Sequence, residues 1–190
     1  MQALLTSTAV VALAEIGDKT MLLAILLAAR FRQPWRIAAG ILLATLANHF
    51  LAALLGAQAA HWFDGALFRY LVAAGFVAMG LWTLIPDTFD DDEHPGTRGG
   101  AFVTTLIAFF LVEIGDKTQI ATIALGARFS DAVTVTIGTT LGMMLANAPM
   151  LWLSDKLAER LPLGAIRMAA AALFVVIGLW LAAETAGLFG

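Results

Sequence analysis

The sequence predicts an all-α polytopic membrane protein of six transmembrane helices, arranged as two inverted three-helix repeats. Three observations lead to this prediction. Hydrophobic residues make up 61% of the 190 residues and charged residues only 13%, against roughly 25% charged in soluble domains. Six apolar stretches are long enough to cross a bilayer, and one six-residue motif occurs in each half of the chain.

The six predicted spans follow from the length that a bilayer demands. A hydrocarbon core of about 30 Å requires about 20 helical residues. The stretches that meet this requirement are residues 4–29, 35–59, 67–85, 102–127, 132–153 and 163–186. The first resembles a secretory signal peptide, but no Lys or Arg precedes it and the apolar run resumes after Thr20, so we interpret it as a membrane helix.

An acidic segment divides the chain near its middle. We predict a first three-helix repeat at residues 1–86, an acidic cytoplasmic linker at 87–100 and a second three-helix repeat at 101–190, which together form one membrane domain. The linker contains four consecutive acids, Asp90 to Glu93. Such a run could gather cations, but more often it is a solvated connection.

The two halves repeat in sequence. An offset of 98 residues relates Glu15 to Glu113, whereas Asn48 and Asn147 match at an offset of 99. The offset of 98 also relates Arg30 to Arg128, Gly40 to Gly138, Arg69 to Arg167, and Trp82 to Trp180. Three spans per half force the second half to enter the membrane from the opposite side. Inverted repeats of this kind are common in secondary transporters, whose substrate site lies near the midplane.

The positions of the basic residues predict that both termini lie outside. Cytoplasmic loops are enriched in Lys and Arg, and this orientation leaves only Arg69 and Arg128 on the outer side. The inner loops and span ends then hold Arg30, Arg32, Arg36, Arg98, Lys156, Arg160 and Arg167.

The repeated motif Glu-Ile-Gly-Asp-Lys-Thr runs from Glu15 to Thr20 and from Glu113 to Thr118. Ionisable residues within a membrane span are functional-site candidates by default. On a continuous helix, carboxylates three residues apart project from one face, and a lysine four residues after a glutamate has salt-bridge spacing. We therefore predict a metal site from the four carboxylates, Glu15, Asp18, Glu113 and Asp116. The structural alternative is two Glu–Lys pairs that pin helices together.

Other residues of the motif have supporting roles in this prediction. Gly17 and Gly115 permit a kink or a close crossing. The predicted supporting residues are Lys19, Thr20, Lys117, Thr118, Gln119, Asn48 and Asn147. Gln119 extends only the second motif, since Met21 stands in the first. His49 could supply a nitrogen that favours a transition metal, but Ala148 follows Asn147 and leaves His49 outside the repeated set.

The charge of the motif limits what it can bind. Four carboxylates and two lysines leave a formal charge of −2, which one divalent cation or two protons would neutralise. Oxygen ligands suit Ca²⁺, Mn²⁺ or Mg²⁺, and the absence of cysteine excludes thiolate sites and disulfides. We expect no catalytic residues and no cofactor. The partners expected are a divalent metal ion and the lipid bilayer; no basic cluster for nucleic acid is present, and a homodimer remains open.

The doubled motif in a six-span chain of this size resembles the cation/proton exchanger family that includes human transmembrane protein 165, also called uncharacterised protein family 0016. Glu15, Gly17, Asp18, Lys19 and Thr20 match the family's first motif. Glu113, Gly115, Asp116, Lys117 and Thr118 match the second. The family is grouped with the lysine-exporter superfamily, so the resemblance implies a fold of that type.

The resemblance implies a secondary-active antiporter of the bacterial inner membrane. The bacterial members that the chain resembles export manganese, which implies Mn²⁺ export in exchange for protons and no enzymatic activity. The residues themselves leave a Ca²⁺/H⁺ antiporter open. They also leave open an exporter of a cationic amino acid of the lysine-exporter type, and a non-transporting membrane scaffold.

Overall fold

The computed structural model describes residues 1–63, 65–85, 99–152 and 162–188, and every regular element in these ranges is helical. The all-α prediction is confirmed. The elements are α1 (Gln2–Glu15), α2 (Lys19–Phe31), α3 (Pro34–Trp62), α4 (Ala66–Thr83), α5 (Gly100–Glu113), α6 (Lys117–Phe129), α7 (Ala132–Asn147), a 3₁₀ turn (Ala148–Leu151) and α8 (Leu163–Thr185). Residues 87–98 of the predicted linker, with Lys156 and Arg160, lie outside the described residues.

Three of the described helices, α3, α4 and α8, are long and apolar enough to cross a membrane. Helices α1 and α5 are apolar but shorter. The predicted continuous helices over 4–29 and 102–127 are wrong, because each is divided in two at the repeated motif. The span predicted over 132–153 also changes character, since α7 ends at Asn147 and the chain continues as the 3₁₀ turn.

A glycine creates the break in each motif. Gly17 has a φ of +87° and Gly115 a φ of +78°, a left-handed conformation that glycine adopts without a steric penalty. The preceding residues, Ile16 and Ile114, are extended. Three residues in each motif, 16–18 and 114–116, therefore leave the helical path before α2 and α6 begin.

The breaks free backbone groups that need partners in an apolar environment. The Gly115 N–H donates to Gln119 Oε1 at 2.8 Å, and the Gly17 N–H donates to Met21 Sδ at 3.4 Å. Gln119 and Met21 are equivalent at the offset of 98 residues. The two halves thus close the same break with different acceptors.

The two broken helices contact one another through opposite segments. Helix α1 contacts α6, and α2 contacts α5. Helices are also exchanged between the halves, since α1 packs against α7 and α3 against α5. The result is that each half supplies packing surfaces that complete the other.

Equivalent residues make the two exchanged contacts. A Cβ atom on Gly40 would lie 2.9 Å from the Phe102 carbonyl oxygen, and one on Gly138 would lie 2.8 Å from the Leu4 carbonyl oxygen. Phe102 and Leu4 are themselves 98 residues apart. Only glycine permits the backbones to approach this closely, so the same close crossing occurs twice.

Helices α4 and α8 form a second crossing beside this assembly. Phe76 and Phe174, equivalent residues of the two halves, meet there with ring centroids 6.4 Å apart. Gly80 and Gly178 also face the opposite helix, where an added Cβ would lie within 2.8 Å of a backbone oxygen. Helix α4 further contacts α6, and α8 contacts α1.

The described chain carries apolar residues outside and polar residues inside. Leu55, Leu145 and Val176 are 63%, 62% and 59% exposed on the outward faces of α3, α7 and α8. Glu15 and Glu113, in contrast, are fully buried. An apolar exterior suits contact with lipid, and buried ionisable residues mark functional positions in membrane proteins.

Alanine at Gly80 tests the close crossing of α4 and α8. A Cβ there would lie 2.7 Å from Val175 Cγ2 and 2.8 Å from the Ala171 carbonyl oxygen, so we expect Gly80→Ala to destabilise the protein by about 1–3 kcal/mol. Gly75→Ala, on the same helix with no atom within 4 Å, is the control and gains helix propensity. Thermal unfolding in detergent should show a lower Tm for Gly80→Ala alone. Equal Tm values for both variants would contradict the crossing.

Candidate metal centre

Three buried carboxylates from both halves of the chain meet at one point. Glu15 ends α1, Glu113 ends α5 and Asp116 precedes α6. One carboxylate oxygen of each lies within 4.8 Å of the others. Their exposed fractions are 0%, 0% and 4%. This arrangement is the only group of three or more potential metal ligands from His, Asp or Glu among the described residues.

The helix breaks, not a continuous helical face, place these carboxylates. The prediction that Glu15 and Asp18 project from one face of a helix is wrong, because Glu15 is the last residue of α1 and Asp18 is the N-cap of α2. The same correction holds for Glu113 and Asp116. Both glutamates therefore sit at helix C-termini, whose carbonyl groups carry partial negative charge and favour a cation.

Two side chains hold one oxygen of Glu15. Thr20 Oγ1 donates a short hydrogen bond to Glu15 Oε2, and Asn147 Nδ2 on α7 donates to the same oxygen at 3.2 Å. Glu15 Oε1 and Asn147 Oδ1 have no hydrogen-bond partner within the described chain. The contacts thus orient Glu15 and leave two oxygen atoms available to a ligand.

Glu113 is held in a comparable way. Thr118 Oγ1 lies 3.2 Å from Glu113 Oε2 and 3.2 Å from Asp116 Oδ2, and it can donate to either. His49 Nε2 on α3 lies 3.5 Å from Glu113 Oε2. Glu113 Oε1, like Glu15 Oε1, has no hydrogen-bond partner among the residues described.

Lys19 joins the two motifs directly. Its Nζ lies 3.2 Å from Asp116 Oδ1, a contact between the motifs that the spacing within one motif did not predict. With all groups ionised, three carboxylates and this one ammonium leave a formal charge of −2. A buried charge of this size requires compensation, and one divalent cation would supply it. Carboxylate and amide oxygens are suitable donors for such an ion.

The other two charged motif residues lie to one side of this cluster. Asp18 and Lys117 line a small cavity together with Gly17 and Arg167. Lys117 Nζ also donates to the Ile85 carbonyl oxygen at 3.1 Å and lies 5.8 Å from the centre of the Trp82 ring. Asp18 is 4% exposed. The two motifs are therefore equivalent in sequence but not in their present environment.

Two predicted supporting residues contact the backbone instead of the carboxylates. Asn48 Nδ2 donates to the Phe110 carbonyl oxygen at 2.9 Å. Gln119 is half-buried and accepts from the Gly115 N–H. In this structure both residues stabilise α5 and the break that follows it.

The prediction that His49 lies outside the repeated set is wrong. At the constant offset of 98 residues, His49 and not Asn48 is equivalent to Asn147. The contacts agree, because His49 approaches Glu113 and Asn147 approaches Glu15. The constant offset of 98 residues, which also relates Gly40 to Gly138, already indicates that His49 is equivalent to Asn147. Pairing Asn48 with Asn147 because both are asparagines obscured this equivalence.

Comparison with known proteins identifies a family. The family model for the divalent cation/proton antiporter GDT1 matches residues 3–91 and 101–188. The chain is 51% identical over 180 residues to a Vibrio cholerae protein named "Putative manganese exporter", covering 94% of this chain and 90% of that protein.

A second relative is more distant. The chain is 30% identical over 153 residues to a GDT1-like protein of Synechocystis sp., covering 70% of this chain and 73% of that protein. No solved structure shows a significant match. The predicted family is confirmed: the chain belongs to the GDT1 family of divalent cation/proton antiporters.

Proposed function

We propose that this protein exports Mn²⁺ from the bacterial cytoplasm across the inner membrane in exchange for protons. The observation that carries this proposal is the meeting of Glu15, Glu113 and Asp116 from both halves at one buried point. The name of the Vibrio relative supports manganese as the ion. Ca²⁺ is the second candidate, because the same oxygen atoms would accept it.

Competition for the carboxylates would couple the two ions. A metal ion binds the ionised carboxylates, and their protonation releases it, so metal affinity falls as the pH falls. The formal charge of −2 is neutralised either by one divalent cation or by two protons. Proton entry from outside would thus discharge Mn²⁺, and loss of the protons to the cytoplasm would restore the binding state.

The proposed transport cycle uses two inverted halves, 1–86 and 101–190, joined by the linker 87–100. In this topology α1–α2 and α5–α6 each form one broken span, which brings the number of spans to six. The contacts of α1 with α6 and of α2 with α5 support it, as do the two separate matches to the family model. The distribution of Lys and Arg favours both termini outside.

Asp18 would belong to the ion site in the opposite-facing state of this cycle. Inverted repeats exchange conformations when the site changes sides. We propose that Asp18 and Lys117 take the positions of Asp116 and Lys19 in the opposite-facing state. Both residues line one cavity, and each is adjacent in the chain to a residue of the buried cluster, Lys19 or Asp116. All four acids of the two motifs would then be required for transport.

Proteoliposome flux tests the proposed coupling. We expect Mn²⁺ uptake under an imposed pH gradient, inhibition by a protonophore and competition by Ca²⁺. Glu15→Gln, Asp18→Asn, Glu113→Gln and Asp116→Asn should each reduce uptake to the level of empty liposomes, because each leaves a buried charge uncompensated when the ion binds.

Asp131→Asn is the matched control for these variants. Asp131 is exposed, caps α7 through the Thr134 N–H at 3.0 Å, and can be replaced by another good capping residue. Its uptake should equal that of the wild type. Unchanged uptake in two of the four motif variants, or wild-type flux that ignores the pH gradient, would refute the proposal.

A second pair of variants separates the amides at the site from those outside it. Asn147→Leu removes the donor to Glu15 Oε2 and an available amide oxygen, so we expect at least about tenfold lower Mn²⁺ affinity in uptake. Gln119→Met introduces the methionine found at the equivalent position, where Met21 Sδ accepts a hydrogen bond from the Gly17 N–H. We expect this variant to transport Mn²⁺ as the wild type does. A larger loss in Gln119→Met than in Asn147→Leu would contradict the site described here.

A further inference from the structure

The imidazole ring of His49 is buried without a hydrogen bond. Its side chain is fully buried on α3, and neither ring nitrogen has a hydrogen-bond partner among the described residues. An unsatisfied buried polar group costs about 1–3 kcal/mol. A histidine kept in such a place at that cost indicates a role other than packing.

The position of His49 indicates what that role is. His49 Nε2 lies 3.5 Å from Glu113 Oε2. Neighbouring ligand atoms on one octahedral ion lie roughly 3 Å apart when the metal bonds are about 2.1 Å long. His49 Nε2 and Glu113 Oε2 can therefore bind the same ion. Neither His49 nitrogen belongs to the group of ligand atoms that lie within 4.8 Å of one another, so the site contracts when His49 joins the three carboxylates on that ion.

The repeat supplies an independent argument. Asn147, the equivalent of His49, approaches Glu15 with its amide, and Asn147 Oδ1 is available to a ligand. The two halves thus present different donor atoms at equivalent positions: an oxygen of Asn147 on α7 and a nitrogen of His49 on α3. With an asparagine at both equivalent positions, the site would contain oxygen donors alone.

We propose that His49 Nε2 is a metal ligand and that it gives the site its preference for Mn²⁺ over Ca²⁺ and Mg²⁺. The inference rests on the proposed function, because it names the residue that selects among divalent ions at that same site. Imidazole nitrogen binds transition metals well, whereas Ca²⁺ and Mg²⁺ prefer oxygen. The donor set consists of Glu15, Glu113, Asp116, Asn147 and His49.

Pulsed EPR of bound Mn²⁺ tests the contact directly. The chain has three histidines, so protein labelled with ¹⁵N-histidine can report a nitrogen bound to the ion. We expect a ¹⁵N coupling in the wild type and in His61→Asn, a control at the exposed end of α3, and its loss in His49→Asn. Mn²⁺ bound without ¹⁵N coupling in the wild type would overturn the inference. That measurement does not depend on whether any variant folds.

Competition flux tests the consequence for selectivity. His49→Asn gives both halves the same amide and removes a proposed ligand, so we expect weaker Mn²⁺ uptake and a preference over Ca²⁺ that falls by about tenfold. His49→Gln serves as a second variant, and His61→Asn should retain the wild-type preference. An unchanged preference in His49→Asn would overturn the role of His49. Absence of proton-driven Mn²⁺ uptake in the wild type would instead overturn the proposed function.

Discussion

Two glutamates buried at the ends of broken helices are the constraint on which the rest of this structure depends. Glu15 and Glu113 have no exposure to solvent, and an ionised carboxylate in such a place needs compensation by charge or by hydrogen bonds. The hydroxyl that follows in each motif, from Thr20 or Thr118, supplies one hydrogen bond. Asn147 and His49 of the opposite half also approach Glu15 and Glu113, and one oxygen of each glutamate has no hydrogen-bond partner among the described residues.

Packing of α7 on α1 and of α3 on α5 brings residues of one half to the glutamate of the other. Asn147 reaches Glu15 because α7 packs on α1, and His49 reaches Glu113 because α3 packs on α5. Both packings depend on glycines that allow backbone contact, at positions 138 and 40. The site therefore cannot form within either half alone. Lys19, which bridges to Asp116 of the other motif, adds a direct electrostatic link between them.

The sequence predicted the composition of the site better than its geometry. The repeated motif, the all-α class and the family could be read from residue patterns because they depend on residue identity and hydrophobic length. The helix breaks could not, because Gly17 is equally compatible with a kink, a close crossing and a positive φ. For that reason, the prediction that both carboxylates of a motif project from one face of a continuous helix was wrong. The partner of Lys19 was missed because it comes from the other half of the chain.

His49 shows a different limit of sequence reasoning. Its equivalence to Asn147 follows from the constant offset of 98 residues, yet histidine and asparagine do not look alike as residue types. Only their contacts show that they occupy corresponding places. The repeated architecture thus conceals an asymmetry of donor chemistry, which is the basis of the ion preference that we propose.

The central claim is that the two halves build one shared ion site. Equilibrium binding of radioactive Mn²⁺ to the purified protein tests it most directly, with Glu15→Gln and Glu113→Gln as the two variants. A shared site predicts one ion per wild-type chain and loss of that binding in both variants, although each alters a different half. Two ions per wild-type chain, with one retained in each variant, would show that each half binds its own ion and would contradict the account.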